Sequence, residues 1–264
     1  MRRRIFTGFM ISGFVAAGAG IINALERTAA DPTAGSTVLL ASFAAAIIGG
    51  TLALPATEPD FLSEAAGSET RVVIGLILEL VLALAVFGMA ALFFPILKKQ
   101  HEGMALGYVA TRTLEGVLIA AGTISAALML TLSKGFGPDA GVEGIEPLAD
   151  VLFAAREWTY WIGPMAVFSA SALILNWLLY RSRVVPTWMS VWGFVGGLML
   201  LASAILEMFG NALGGWQAVF TAPIGLQEMA LALWLIIKGF DMDHLEHTAF
   251  ERELVGAGVG EGRT

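Results

Sequence analysis

The sequence has no cysteine, and only 14% of its 264 residues are charged. Without cysteine there are no disulfides, no thiolate metal sites and no thiol catalysis. So little charge excludes a soluble globule, in which about 25% is usual, and a disordered chain, which needs a polar composition. Lysine is scarce, 4 residues against 11 arginines. The net charge is −7, from 15 Lys+Arg and 22 Asp+Glu, and no basic stripe stands out. Nucleic-acid binding depends on cations that neutralise phosphates, so nucleic acid is excluded as a partner. The one basic cluster, Arg2, Arg3 and Arg4, reads as a membrane-flanking anchor. No HExxH, GxSxG, P-loop or CxxC motif is present, and no cofactor is expected.

What is there is apolar bulk. Apolar residues make up 57% of the chain, and the mean hydropathy is +0.77. A helix needs about 20 mostly apolar residues to cross a bilayer. Seven stretches meet that length: 5–25, 36–54, 72–95, 104–132, 158–180, 188–209 and 217–238. The expected fold is all-α, a polytopic transmembrane bundle of seven helices, or six if one of the first two segments does not span. Residues 1–240 form a single transmembrane domain, and 241–264 a polar acidic tail. The first segment also resembles a signal peptide, but its apolar run is long and no cleavage site stands out. The connection 133–156 contains GFGPDAGVEG, then PLADVLFAA, which is expected to form a short surface helix.

Short-loop Lys and Arg set orientation. Lys98 and Lys99, Arg181 and Arg183, and Lys238 fall on one side by alternation, which is expected to be cytoplasmic and to hold the C-terminus. Seven spans then put the N-terminus and its three arginines outside, a conflict that six spans remove. Trp158, Tyr160, Trp161, Tyr180, Trp188 and Trp192 cluster at segment ends, where aromatics anchor at headgroup level.

A charge at the centre of a spanning helix costs about 2.5–3.5 kcal/mol on the insertion scale. Glu79, Arg112, Glu115, Gln227 and Glu228 are therefore the candidate buried polar core, with Glu207 secondary. Unpaired, five ionisable groups cost on the order of 10 kcal/mol, so they must face the bundle interior or a wet cavity. Arg112 lies about 12 Å into its segment, Glu115 one turn deeper on the same face, and Glu228 about 15 Å in from Lys238. These three match in level. One arginine cannot neutralise four carboxylates, so a surplus Glu either holds a proton or meets a cation or polar ligand. The plain alternative is a structural ion pair of Arg112 with Glu115 or Glu228 that fixes helix packing.

Segments three and seven share a local pattern, IGLILELVLAL at 74–84 and IGLQEMALAL at 224–233. Duplication produces such matches, and so does chance in Leu/Ala-rich helices. Glycines 13, 18, 20, 49, 50, 196 and 197 read as close-packing positions. Pro164 and Pro223 are expected to kink their helices. His244 and His247 are spaced for a weak metal site, but a solvated acidic face explains that tail better, and no metal is assigned.

Several stretches resemble a prokaryotic integral-membrane family defined as a domain of unknown function. They begin at EPDFLSEAAGSETRVVIGLILEL and include ALGYVATRTLE, REWTYWIGP, LLYRSRVVPTWMSVWG and EMALALWLIIKGF, together covering about residues 57–240. The ALGYxxxRxxE and YRSRxVPxWxSxWG patterns carry the likeness. The resemblance implies a helical bundle in the cell membrane and no particular activity. The family typically has one helix before EPDFL, whereas two apolar segments stand here. Its position before the Glu-Trp pair is often His and is Arg156 in this chain, so any role of that His is in doubt.

Three functions compete. The first is a transporter-like or sensor-like protein whose core binds a proton, a small cation or a polar small molecule. The second is a non-catalytic structural or assembly protein. The third, an enzyme using Glu115 or Glu228 as general acid, ranks last because no nucleophile–base pair accompanies it. The lipid bilayer is the one partner common to all three.

Overall fold

The computed structural model describes residues 69–135, 146–210 and 213–239. The expected segments 5–25 and 36–54, their glycines, and the tail with His244 and His247 lie outside the described residues. Among the described residues every regular element is helical. They are α1 (Glu69–Leu97), α2 (Glu102–Gly135), α3 (Glu146–Tyr160), a π-helical stretch (Trp161–Val167), α4 (Phe168–Ser182), α5 (Thr187–Met208), a 3₁₀ turn (Gly214–Trp216) and α6 (Gln217–Ile237).

Five helices are long and apolar enough to cross a membrane: Glu69–Leu97, Glu102–Ser133, Pro147–Ser182, Thr187–Met208 and Gly214–Ile237. The count of seven is not established by these five. Four of them coincide, within a few residues, with the expected segments 72–95, 104–132, 188–209 and 217–238. The other is a correction. Residues 147–155 do not make a separate surface helix before a span starting at 158. They open one helical rod that runs to Ser182.

Pro164, expected to kink its helix, lies inside that rod in a π-helical stretch. Proline lacks an N–H and its ring clashes with the carbonyl four residues back, which an α-turn cannot tolerate. Here the turn widens into π geometry from Trp161 to Val167, and the Phe168 N–H reaches the Gly163 carbonyl five residues back. α6 likewise continues through Pro223.

The connections are short and locally determined. His101 Nδ1 accepts the Met104 N–H at 3.1 Å and starts α2. α4 ends on Arg183 in the left-handed region (φ 53), whose N–H returns to the Leu179 carbonyl. Pro186 then sets up the first turn of α5.

α2 is the hub and packs on α1, α3, the π stretch and α4; α5 packs on α4 and α6. The largest apolar cluster joins Phe93 and Leu97 of α1, Ala105 and Tyr108 of α2, Leu178 of α4, Val184 and Val185 of the α4–α5 link, and Leu231 and Leu235 of α6. It therefore brings the Lys98–Lys99 turn, the Arg181–Arg183 turn and Lys238 to one end of the bundle, as alternation of spans requires. The outer surface is apolar as well: Leu84, Val117, Ile124 and Val195 are exposed. The polar residues lie inside instead, an inversion of the soluble pattern that suits a lipid exterior. Small residues bring helices close, as at Gly196, where an added β-carbon would lie 2.9 Å from the Ile224 backbone nitrogen.

Candidate functional site

Three polar clusters inside the bundle tie the helices together. The first is centred on α2. Tyr108, Arg112 and Glu115 follow at spacings of four and three, which stacks them on one face of the helix. α6 supplies Glu228 opposite. Arg112 Nη1 donates to Glu115 Oε2 at 3.0 Å, and Nη2 donates to Glu228 Oε1 at 2.9 Å. The arginine is only 3% exposed.

Two aromatic rings complete the walls. The guanidinium carbon lies 4.6 Å from the Phe168 ring centroid and 5.7 Å from that of Tyr108. Both are within cation–π range, which strengthens away from water. The π stretch sets this wall: it ends where Phe168 begins, and its Gly163 seats against α2. A β-carbon at Gly163 would lie 2.7 Å from the Leu118 β-carbon and 3.7 Å from the Glu115 carbonyl oxygen. π-helical turns recur at functional sites.

Charge does not balance in this cluster. Two carboxylates meet one guanidinium, which leaves one formal negative charge when both are ionised. Hydrogen bonding is also incomplete: Arg112 Nε and the Tyr108 hydroxyl are buried and meet no partner in hydrogen-bonding geometry. Buried polar atoms are normally satisfied, and these two, on neighbouring side chains, are the ones this cluster leaves over.

The second cluster is balanced. Glu79 of α1 takes a two-point ion pair from Arg156 of α3, with Oε1 to Nη2 at 2.5 Å and Oε2 to Nη1 at 3.2 Å. Arg156 Nη1 also donates to the Gly122 carbonyl at 3.0 Å, and the Thr123 hydroxyl of α2 lies 3.0 Å from Glu79 Oε2. One cation and one anion thus staple three helices.

The third cluster is uncharged. Gln227 Nε2 donates to Asn176 Oδ1 at 3.2 Å and approaches the Met189 carbonyl at 3.4 Å, which links α6 with α4 and α5. Its Oε1 is buried without a partner.

The candidate residues therefore separate. Arg112, Glu115 and Glu228 meet. Glu79 sits apart with Arg156, and Gln227 points away from its neighbour Glu228 into the amide clasp. Glu207 lies at the end of α5, where its Oε1 accepts the Leu213 N–H at 2.7 Å and closes the following turn. Among the described residues no group of three His, Asp or Glu is arranged to hold a metal ion.

Sequence reasoning gave no role to Arg156, Tyr108, Phe168 or Asn176. Tyr108 was within reach, since it shares the spacing of Arg112 and Glu115. Arg156 was hidden because the charged stretch around it reads as a loop. The excess of buried glutamates over Arg112 was the sign that another cation was needed.

A family model described as a domain of unknown function (DUF4386) matches residues 36–239. The chain belongs to this family. No curated protein and no solved structure matches it. The DUF4386 match takes in the apolar segment 36–54, all the helices above and the three polar clusters. It leaves out the segment 5–25 and the acidic tail.

Proposed function

We propose that this DUF4386 protein is a multi-pass protein of the cell membrane, with its C-terminus cytoplasmic, and that its Arg112–Glu115–Glu228 cluster binds one exchangeable proton, small cation or small polar ligand. The role is transporter-like or sensor-like. The observation that carries the reading is the two-to-one ratio of carboxylate to guanidinium at a site almost closed to solvent. An uncompensated charge in such a place costs several kcal/mol. A proton or monovalent cation held between the carboxylates restores neutrality. The unpartnered Tyr108 hydroxyl and Arg112 Nε supply further polar contacts for a guest.

The test is a melting series on the full chain in nanodiscs from pH 4 to 9, with sodium, potassium, ammonium and small amines. A ligand that binds only the native state adds about 2.7 kcal/mol of stability at a hundredfold excess over its Kd. We expect a specific rise in melting midpoint with one of these cations, or with protons, that disappears in Glu228→Gln. A wild-type midpoint flat across both the cation panel and pH overturns the reading.

The second reading is a structural or assembly protein whose ion pairs only fix helix packing. The balanced Glu79–Arg156 pair favours it. It predicts that apolar replacement of all three residues of the Arg112 cluster leaves function intact.

A further inference from the structure

At the end of the bundle that gathers the basic turns, a cleft of about 200 Å³ opens between the α1–α2 turn and the end of α4. Gln100, His101, Met104, Trp177, Leu178 and Arg181 line it. It lies one turn of α2 before Tyr108, toward the start of the helix, and shares no residue with the Arg112 cluster. We infer that this cleft binds the phosphate of an anionic membrane phospholipid.

Charge is the first argument. Lys98, Lys99, Arg181, Arg183 and Lys238 gather at this end, and Glu102 is the one acid there among the described residues. Basic pockets between helices at the cytoplasmic face are a recognised form of lipid-headgroup site. Two of these five cations are otherwise engaged: Lys98 lies over the Phe94 ring at 5.8 Å and Lys238 over the Trp234 ring at 5.3 Å. Arg181 lines the cleft, is exposed, and has no ion-pair or hydrogen-bond partner among the described residues. A guanidinium fork matches a phosphate by two parallel hydrogen bonds.

The second argument is the imidazole beside it. His101 Nδ1 is occupied as acceptor of the Met104 N–H at 3.1 Å. Nε2 is therefore the ring nitrogen left to donate, and His101 lines the cleft. The third argument is the opposite wall. Met104, Leu178 and Trp177 are apolar, and Trp177 stacks on Tyr180 with centroids 6.3 Å apart. Trp and Tyr favour the headgroup level. A free phosphate has no use for an apolar wall at that depth, whereas a phospholipid lays its glycerol and first methylenes along it.

The test is native mass spectrometry of the full chain released from mixed micelles of equimolar dioleoylphosphatidylglycerol and dioleoylphosphatidylcholine. We expect the anionic lipid to be retained at least fivefold over the zwitterionic one. Arg181→Gln, and separately Met104→Glu on the apolar wall, should abolish that preference. Lys238→Gln, a cation at the same end but outside the cleft, should keep it. Equal retention of the two lipids overturns the inference. So does a loss in Lys238→Gln equal to that in Arg181→Gln, which would mean diffuse surface charge. Inorganic phosphate in neutral detergent should move the melting midpoint less than phosphatidylglycerol at the same concentration. An equal or larger shift assigns the cleft to free phosphate and overturns the lipid source.

Discussion

Two arginines sit inside this bundle, Arg112 buried and Arg156 half-buried, and they are used differently. Arg156 meets one carboxylate face on, and Gly122 and Thr123 add hydrogen bonds to the pair. No charge is left over. Arg112 is shared between two carboxylates on different helices, is flanked by two rings, and has an unpartnered Nε. The Arg156 pair is closed in charge; the Arg112 cluster is open in charge and leaves buried polar atoms unpaired. A structural staple has no reason to carry a surplus charge, because a buried ion pair contributes little net stability even when complete. On the proposed reading, the difference separates fastening from ligand binding within one apolar bundle.

The sharpest way to break the comparison is to remove the arginine from the open cluster. Arg112→Met strands two carboxylates in the interior. Removing one partner of a buried pair costs about 3–5 kcal/mol, and here two groups are stranded at once. Chemical or thermal unfolding in detergent should show the largest loss of any substitution in the molecule. A loss below about 1 kcal/mol would mean that the carboxylates reach water, contrary to their burial.

The closed pair should behave in the opposite way when it is removed whole. Arg156→Met alone leaves Glu79 uncompensated and should cost about 3 kcal/mol. The double variant Arg156→Met with Glu79→Leu should recover most of that loss, since apolar replacement of a whole buried pair is close to neutral. A double-mutant cycle reads this coupling directly. The same manoeuvre fails in the open cluster, because Arg112→Met with Glu115→Leu still leaves Glu228. Recovery in the second double variant would erase the distinction between the clusters.

How far the sequence carries this picture depends on what each feature requires. Span length and apolarity are local, so α1, α2, α5 and α6 stand near their expected places. The spacing of Arg112 and Glu115 is also local and puts both on one face. Depth counted from Lys238 brings Glu228 to the same level. What sequence alone does not carry is pairing across helices. Arg156 interrupts an apolar pattern, and hydropathy alone breaks the helix there into a surface piece and a later span. The partner that makes Arg156 tolerable, Glu79, is 77 residues away. The same glutamate then leaves the candidate polar core in which its charge within a span had placed it. The π stretch is a second case: a proline in a span announces a disturbance, but its neighbours decide whether the helix bends or widens.

The ring wall offers a smaller perturbation. Phe168→Leu keeps an apolar side chain but removes the π face 4.6 Å from the Arg112 guanidinium. The expected loss is about 1–2 kcal/mol, the range for a desolvated cation–π contact. Gly163→Ala should cost a similar amount, about 1–3 kcal/mol, by forcing the π stretch off the Leu118 β-carbon. If the π stretch matters only as filler, Gly163→Ala will lower stability without altering the cation or pH response of the wild type. If it sets the ring wall, the response will change as well.

The smallest expected effect decides the most. Glu79→Gln and Glu228→Gln are the same chemical change, isosteric and neutralising, made once in each cluster. In the closed pair it replaces a carboxylate that accepts from Arg156 by two oxygens, leaving the guanidinium half satisfied. Hydrogen bonds to charged groups contribute about 1.5–3 kcal/mol, and a loss in that range is expected. In the open cluster the substitution removes the surplus charge and leaves Arg112 paired with Glu115 at 3.0 Å. The amide oxygen can still accept from Arg112 Nη2. Stability at neutral pH should therefore change by less than about 1 kcal/mol, within the usual range for a substitution that breaks no satisfied interaction. The pH profile separates the two variants further. In the wild type, a proton held in the open cluster is shed as pH rises and leaves a net buried charge, so the midpoint should fall toward pH 9 when no binding cation is present. Glu228→Gln has no surplus charge to expose and should be flat over the same range. Glu79→Gln should keep the wild-type slope at a lower midpoint. Equal losses in the two variants, with equal slopes, would make both clusters fasteners.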